Sequence, residues 1–268
     1  MSGDCGRKAG GRSAGRRGVP EHGTGRTSQA SPRAAPQHAS PSPPRRGANA
    51  LPASAARTEG KNMNDDTATG LTDVPTTTLA DLLGYAQVMD VGIRPLWPTA
   101  PRAAGPAFTV RCPPGDNLML HAAIHRAEPG SVVVVESGDM EYALAGGNVC
   151  AVAQRRGIAA FVLDGLIRDL AEVRAMGFPV YARGVIPIPG AKTAVTPLGA
   201  KVRCGGVDVA AGDFVVADED GVVAVPRDRR DAVTAAALRK LAEEATQSLE
   251  MWEAAHRARV DKILSGGE

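Results

Sequence analysis

Residues 131–136 read SVVVVE, four consecutive valines with no polar residue among them. Successive side chains of a strand point to opposite faces, so an unbroken apolar run of this kind is buried on both. β-Branching stiffens the side chain and favours strand over helix. A second such run, IAAFVL at 158–163, follows after an interval with helical character that starts at Asn148 and stops at Gly157. Beyond it, Leu170–Met176 reads as a helix closed by Gly177, a C-cap residue, and FPVYARG as a further strand. Strand, helix, strand, helix, strand at this spacing implies βαβ crossovers and a parallel sheet, hence the α/β class.

The flanks are less regular. Thr78–Val88 has helical apolar spacing and leads into a Pro-rich connector through Pro106. Ala107–Val110 is a short strand that runs into CPPGDN, and Leu118–Ala127 is a helix ended by EPGS. After Val195 the texture changes. KVRCGGVDVAAGDFVVADEDGVVAVP reads as short strands joined by Gly-Asp and Asp-Gly turns, which predicts hairpins at a sheet edge or a small barrel. Arg227–Leu264 is one long helix-forming stretch, expected to project or to pack on a neighbouring subunit.

Charge divides the chain. Residues 1–62 carry 11 Lys and Arg against three acids, are rich in Gly, Ser, Pro and Ala, and contain a single Leu and no Ile, Phe, Tyr or Trp. Such a segment cannot bury enough apolar surface to offset its chain entropy, and it reads as a disordered basic tail. A phosphate-binding arm, a transit peptide and a start at Met63 are three readings of it. The rest holds 20 basic and 26 acidic residues, so an acidic folded part hides behind a whole-chain charge of +2. The expected organisation is a tail over 1–62, a catalytic domain over 63–226 and a helical extension over 227–268. Neither a secretory signal nor a membrane span is read, and nucleic acid is not an expected partner of the folded part. The four cysteines lack a CxxC pair, which speaks against a zinc cluster or a disulfide framework and favours a reducing cytoplasm.

Parallel sheets bind ligands beyond the C-terminal ends of their strands. Three segments converge there: Gly115-Asp116-Asn117, Ala145-Gly146-Gly147-Asn148 and Asp164-Gly165-Leu166-Ile167-Arg168-Asp169, each ahead of a helix. Helix N-termini leave backbone N–H groups free and favour anions. Gly146 and Gly147 permit close backbone approach, Arg168 offers a planar fork for a carboxylate, and Asp169 offers oxygen to a divalent cation. The bland readings are a strand-ending turn at Asp164-Gly165, a dipole-favoured acid at Asp169 and a hairpin turn at Asp218–Gly221. His121 and His125 stand four apart on the expected helix, but AAI between them supplies no third ligand. Cys150 reads as a small core residue.

Three stretches together carry a resemblance: GDNLMLHAAIHRAEPGSVVVV, GGNVCAVAQRRGIAAFVLDGLIRDLAEVRAMGFPVYARG and CGGVDVAAGDFVVADEDGVVAVP. From about Leu79 to Pro226 the chain resembles the RraA-like family. That family includes class II pyruvate aldolases acting on 4-hydroxy-4-methyl-2-oxoglutarate or 4-carboxy-4-hydroxy-2-oxoadipate, and the regulator of ribonuclease activity A. The resemblance implies an α/β sandwich with a small barrel-like core and a C-terminal helical extension, assembled as homotrimers or hexamers with sites between subunits. It implies a magnesium or manganese ion on Asp169, and Arg168 on the keto-acid end of a 2-oxo acid. Around the pyruvyl carboxylate it implies Gly146, Gly147 and the amides of Asn148 and Val149. It also implies oxaloacetate decarboxylation as a companion to aldol cleavage. One departure stands out. The aldolases carry an acid twenty residues ahead of the Arg-Asp pair, and here that position is Gly147. Asp139 or Glu141 are the nearby acids, and Glu243 or Glu244 match loosely a glutamate that the aldolases contribute from a neighbouring subunit. The change at Gly147 keeps two alternatives open: a non-catalytic module that binds a ribonuclease complex, and a lyase acting on a different acid.

Overall fold

The structure, a computed structural model, describes residues 70–266. The basic tail and the start at Met63 lie outside them. Strands β1 (Arg94–Pro95), β2 (Ala103–Cys112), β3 (Val132–Ser137), β4 (Ala143–Ala145), β5 (Ala160–Ile167), β6 (Val180–Val185), β9 (Phe214–Asp218) and β10 (Gly221–Val225) form one sheet in the order β1-β6-β5-β3-β2-β9-β10, with β4 paired to β5. β2, β3, β5 and β6 run parallel, whereas β9, β10 and β1 are antiparallel to their neighbours. A small hairpin, β7 (Val202–Cys204) and β8 (Val207–Val209), stands apart. The segment after residue 87 donates from Met89 N–H to Val222 O on β10 and then forms β1 against β6. It thereby draws together the two edges of the sheet, which is nearly closed like a barrel. The expected hairpins are thus β7–β8 and β9–β10.

Burial explains the valine run. Val133 and Val135 enter one core with Phe161, Leu163, Phe178 and Val180, beneath helices α2 (Leu118–Ala123), α3 (Gly147–Arg155) and α4 (Leu170–Met176). Val132 and Val134 enter a second core with Ala160, Val162, Tyr181 and the β7–β8 hairpin, inside the curl of the sheet. β3 feeds the two cores with alternate valines, so none of those four positions is left for a polar residue. At roughly 25 cal/mol per Å2, each buried valine contributes on the order of 2 kcal/mol. A third core lies under α1 (Thr76–Leu83) and α5 (Arg230–Thr246), where Val233 and Ala237 meet Leu79 and Phe214.

Several boundaries differ from the sequence expectation. β2 spans ten residues, not four, because its first half pairs with β9 and its second with β3. The first helix stops at Leu83, where Gly84 has φ +74°, and α2 stops at Ala123, so His125 is not on it. Residues 227–264 form a 3-10 turn (Arg227–Arg229) and two α-helices, since Gln247 is extended and Ser248 accepts a hydrogen bond from Met251 N–H as the N-cap of α6 (Leu249–Leu264). Asp164-Gly165 does not end its strand. β5 continues to Ile167 through a shift in register with β6 at that dipeptide. A β-carbon at Gly165 would stand only 2.8 Å from Leu144 Cδ1, so the glycine admits β4 alongside. The C-cap prediction for α4 holds, with Gly177 in the left-handed region at φ +68°.

Candidate functional site

The Asp164–Asp169 run splits between two faces. Asp164 turns into the sheet's interior, where it accepts from Arg183 Nε and from Gly205 N–H at 2.8 Å. Arg183 continues the chain of charges to Asp90 with two hydrogen bonds of 2.9 and 2.7 Å. These bonds hold the Asp90 carboxyl below its ordinary range and Arg183 well above its own. The cluster fastens the β7–β8 turn and the segment before β1 to β6.

Arg168 and Asp169 lie beyond the end of β5 and face a small cleft of about 60 Å3 lined by Asn117, His121, Ala143–Gly146, Asn148, Val149, Pro189 and Lys192. Asp169 is the N-cap of α4, yet its backbone is left-handed at φ +59°, the sole non-glycine with positive φ among the described residues. Aspartate tolerates this better than most residues. The consequence is directional, because its carboxylate does not cap its own helix. Oδ2 accepts instead from Gly147 N–H at 3.1 Å, the first amide of α3, and faces Arg168 Nε at 3.5 Å. Oδ1 accepts no hydrogen bond among the described residues. Gly146 makes the arrangement possible, since a β-carbon there would stand 2.5 Å from Asp169 Oδ2 and 3.0 Å from Arg168 Cγ. With Asp169 on the first amide, the N–H groups of Asn148 and Val149 have no intrahelical acceptor and stand at the cleft wall.

The opposite wall includes the Gly115-Asp116-Asn117 segment expected at this edge, joined by His121 and Lys192, which were not expected there. Asp116 is 6% exposed and accepts from Leu118 N–H, from Thr193 N–H and Oγ1 and from Ala194 N–H, at 2.7–3.0 Å. Burial alone would push its pKa up, but these four bonds outweigh it and hold it at about 2. They pin the 189–194 loop, and with it Lys192, to the start of α2. Asn117, which lines the cleft, donates to Ala143 O at 3.0 Å, while its buried Oδ1 has no partner among the described residues. A buried acceptor of this kind is stabilised by any ligand or water that donates to it. Burial, then the nearby Lys192 and His125, lower the pKa of His121, so its imidazole is neutral at pH 7. His121 lines the cleft, whereas His125 lies beyond the end of α2 and outside the cleft lining, so the two do not form an i, i+4 pair on one helix.

Of the other candidates, Asp139 is consumed by its turn, accepting from Gly115, Glu141 and Tyr142 N–H. Glu141 is exposed and does not line the cleft; Glu243 and Glu244 lie exposed on α5, with Glu244 paired to Lys240 at 2.9 Å. Asp218–Gly221 is the hairpin turn between β9 and β10. Cys150 is buried in the α3 core, and burial, with the neighbouring Asp169 charge, pushes its thiol up to about 12.

No group of three His, Cys, Asp or Glu side chains converges to hold a metal among the described residues. That disfavours zinc, which takes three or four protein ligands. It accords with magnesium or manganese, which bind through one or two carboxylates plus water and substrate oxygens. Asp169 with a free Oδ1 fits such an ion.

The RraA-like family model, Aldolase/RraA, matches residues 76–224. A protein of Halalkalibacterium halodurans, provisionally named a 4-hydroxy-4-methyl-2-oxoglutarate aldolase, is 35% identical over 193 residues, 72% of this chain and 88% of the relative. Among solved structures, the RNA-processing inhibitor RraA from Thermus thermophilis superposes with a TM-score of 0.53 at 30% identity, covering 57% of this chain and 93% of that one. Streptomyces coelicolor RraAS2, an unusual member of the RNase ES inhibitor RraA family, gives 0.59 at 28% identity, covering 76% and 100%. With the model spanning more than half of its length, this chain belongs to the RraA-like family.

Proposed function

We propose that the protein is a divalent-metal-dependent carbon–carbon lyase that cleaves 4-hydroxy-2-oxo acids, of the 4-hydroxy-4-methyl-2-oxoglutarate type, to pyruvate and a second keto acid. Oxaloacetate decarboxylation follows from the same chemistry. The observation that carries this reading is the convergence on one cleft of the Asn148 and Val149 amides, the Arg168 guanidinium and the Asp169 carboxylate. The amides and Arg168 would bind the pyruvyl carboxylate and keto oxygen, orienting the bond to be broken so that its electron pair passes into the carbonyl system. Asp169 would hold magnesium or manganese, which when bound supplies Lewis-acid stabilisation of the charge that develops. Lys192, on the loop pinned by Asp116, would face the remaining, acidic part of the substrate. The names of curated relatives favour the same reaction.

The test is release of pyruvate from oxaloacetate and from 4-hydroxy-4-methyl-2-oxoglutarate, with and without Mg2+. Metal-dependent release from either supports a lyase. Silence from an assembled protein that captures a ribonuclease complex would replace the enzyme by a binding module, the activity named for two of the structural neighbours. We propose also that the chain self-associates as a homotrimer or hexamer. α6 buries none of its residues and exposes Leu249, Met251, Trp252, Ile263 and Leu264, apolar surface suited to a second copy. No helix of the described residues is long and apolar enough to cross a membrane, and a cytoplasmic setting is proposed on the unpaired buried cysteines.

A further inference from the structure

His121 is half-buried on the wall of the cleft that faces Arg168 and Asp169. Its imidazole makes no hydrogen bond or ion pair among the described residues. The same side chain also lines a wider hollow of about 570 Å3, shared with Leu118, His125, Arg126 and Leu198, whose lining residue Val195 is 79% exposed. One imidazole thus borders both the cleft and a route to solvent. The other ionisable side chains that line the cleft are Arg168, Asp169 and Lys192. Arginine and lysine side chains as types hold their protons at neutral pH and aspartate has lost its own, whereas an imidazole exchanges one there. Burial, Lys192 and His125 favour the neutral ring, and Asp116 favours the charged one. Arg126 stands along the hollow, and Arg168 and Asp169 face the ring across the cleft.

We propose that His121 is the proton-transfer residue of carbon–carbon cleavage, taking the hydroxyl proton of a 4-hydroxy-2-oxo acid and returning it to the pyruvate carbon. This rests on the lyase reading above. The cleft is only about 60 Å3, so an acid held by Asn148, Val149 and Arg168 is brought against the His121 wall. The neutral imidazole accepts the proton of the 4-hydroxyl as the C3–C4 bond breaks. The electron pair of that bond enters the 2-oxo group as an enolate, and C4 becomes the carbonyl carbon of the second keto acid. The imidazolium then gives its proton to C3, which becomes the methyl group of pyruvate. One proton moves from oxygen to carbon and no other reactant is needed.

Oxaloacetate decarboxylation breaks its bond with no hydroxyl proton to remove, so the experiment compares the two reactions on the full chain with Mg2+. His121→Gln should lower kcat for cleavage of 4-hydroxy-4-methyl-2-oxoglutarate about 100-fold, and at least about 10-fold more than it lowers decarboxylation. In the wild type, the ratio of cleavage to decarboxylation, in which loss of metal cancels, should fall as pH drops from about 6.5 to about 5 and the ring takes up a proton. In His121→Gln the ratio should not change over that range. Equal loss of both reactions in the variant, as a merely structural role would give, would overturn the proposal. So would a wild-type ratio independent of pH, a result that needs no variant to fold. Wild type that decarboxylates oxaloacetate but cleaves no hydroxy acid would overturn this inference and leave a lyase. Silence on both substrates would overturn the lyase reading as well.

Discussion

Two arginine–aspartate clusters begin four residues apart, at Asp164 on β5 and at Arg168 just beyond its end, and they differ in how completely their hydrogen-bonding capacity is used. In the Asp90–Arg183–Asp164 cluster, Arg183 is shared between two carboxylates and Asp164 takes a further backbone amide. Its charges face one another, and the carboxylate and guanidinium pKa values move apart accordingly. In the Arg168–Asp169 pair the nearest approach is 3.5 Å, both side chains are about two-fifths exposed, and Asp169 is held in a left-handed backbone that leaves Oδ1 free. Strain retained where hydrogen bonds are left unmade marks a place for a ligand, whereas saturation marks a fastening. The residue types are identical; the tertiary setting separates a brace from a site.

That contrast can be broken from either side. Asp169→Ala should lower metal-dependent pyruvate release by about 100-fold or more, with little change in unfolding temperature; retention of full turnover would remove Asp169 from the site. Arg183→Ala should do the reverse. It strands Asp164 and Asp90 and should cost about 2 kcal/mol of stability, read by denaturant unfolding, with activity per folded molecule preserved. Equal stability of the two variants would erase the distinction drawn here.

A third measurement concerns Asp116. Its folded pKa, about 2, lies below the unfolded value near 3.9, so its contribution is present above pH 4 and lost as pH falls toward 2. The contribution is on the order of 2 kcal/mol. Unfolding followed between pH 5 and pH 2 should show that loss in the wild type, and Asp116→Asn should flatten the profile. A profile unchanged by the substitution would mean that the 189–194 loop is held by other contacts. The smallest effect is expected at Lys192→Met, a rise in KM of about 5- to 10-fold for a dianionic substrate with kcat nearly unchanged, since Lys192 adds charge at the far wall and touches no reacting bond. A loss confined to kcat would place it nearer the chemistry.

Much of this architecture was legible from local pattern. The unbroken runs SVVVVE and IAAFVL require burial on both faces, and the Gly-Asp and Asp-Gly turns announce hairpins. Gly146, Asn148, Arg168 and Asp169 were legible because helix starts after parallel strands expose amides and because the Arg-Asp pair sits at one of them; Val149 was named only through the family resemblance. Asn117 was placed at the ligand-binding edge as part of Gly115-Asp116-Asn117, whereas His121 and Lys192 were not assigned to the cleft. Lys192 is placed by Asp116 from a position 76 residues earlier, and no spacing rule encodes hydrogen bonds made by a loop to a distant turn. A polar residue beside a buried turn, such as Asn117, was the available signal. Asp164 was assigned to a strand end because Asp-Gly is a turn pair; the admission of β4 beside Gly165 made it a bulge instead.

Gly147 shows the division most sharply. In the sequence it reads as the absence of an acid. In the fold it is a gap covered by Glu172, a residue whose position in a first helical turn is by itself unremarked. The sequence by itself determined the class of fold, the order of strands and helices and the chemical groups on offer, because apolar period and turn chemistry act over a few residues. Which carboxylate is saturated, which stays open and which crosses to a neighbouring helix was decided only by the tertiary structure, because those outcomes depend on distances between segments that the chain brings together late.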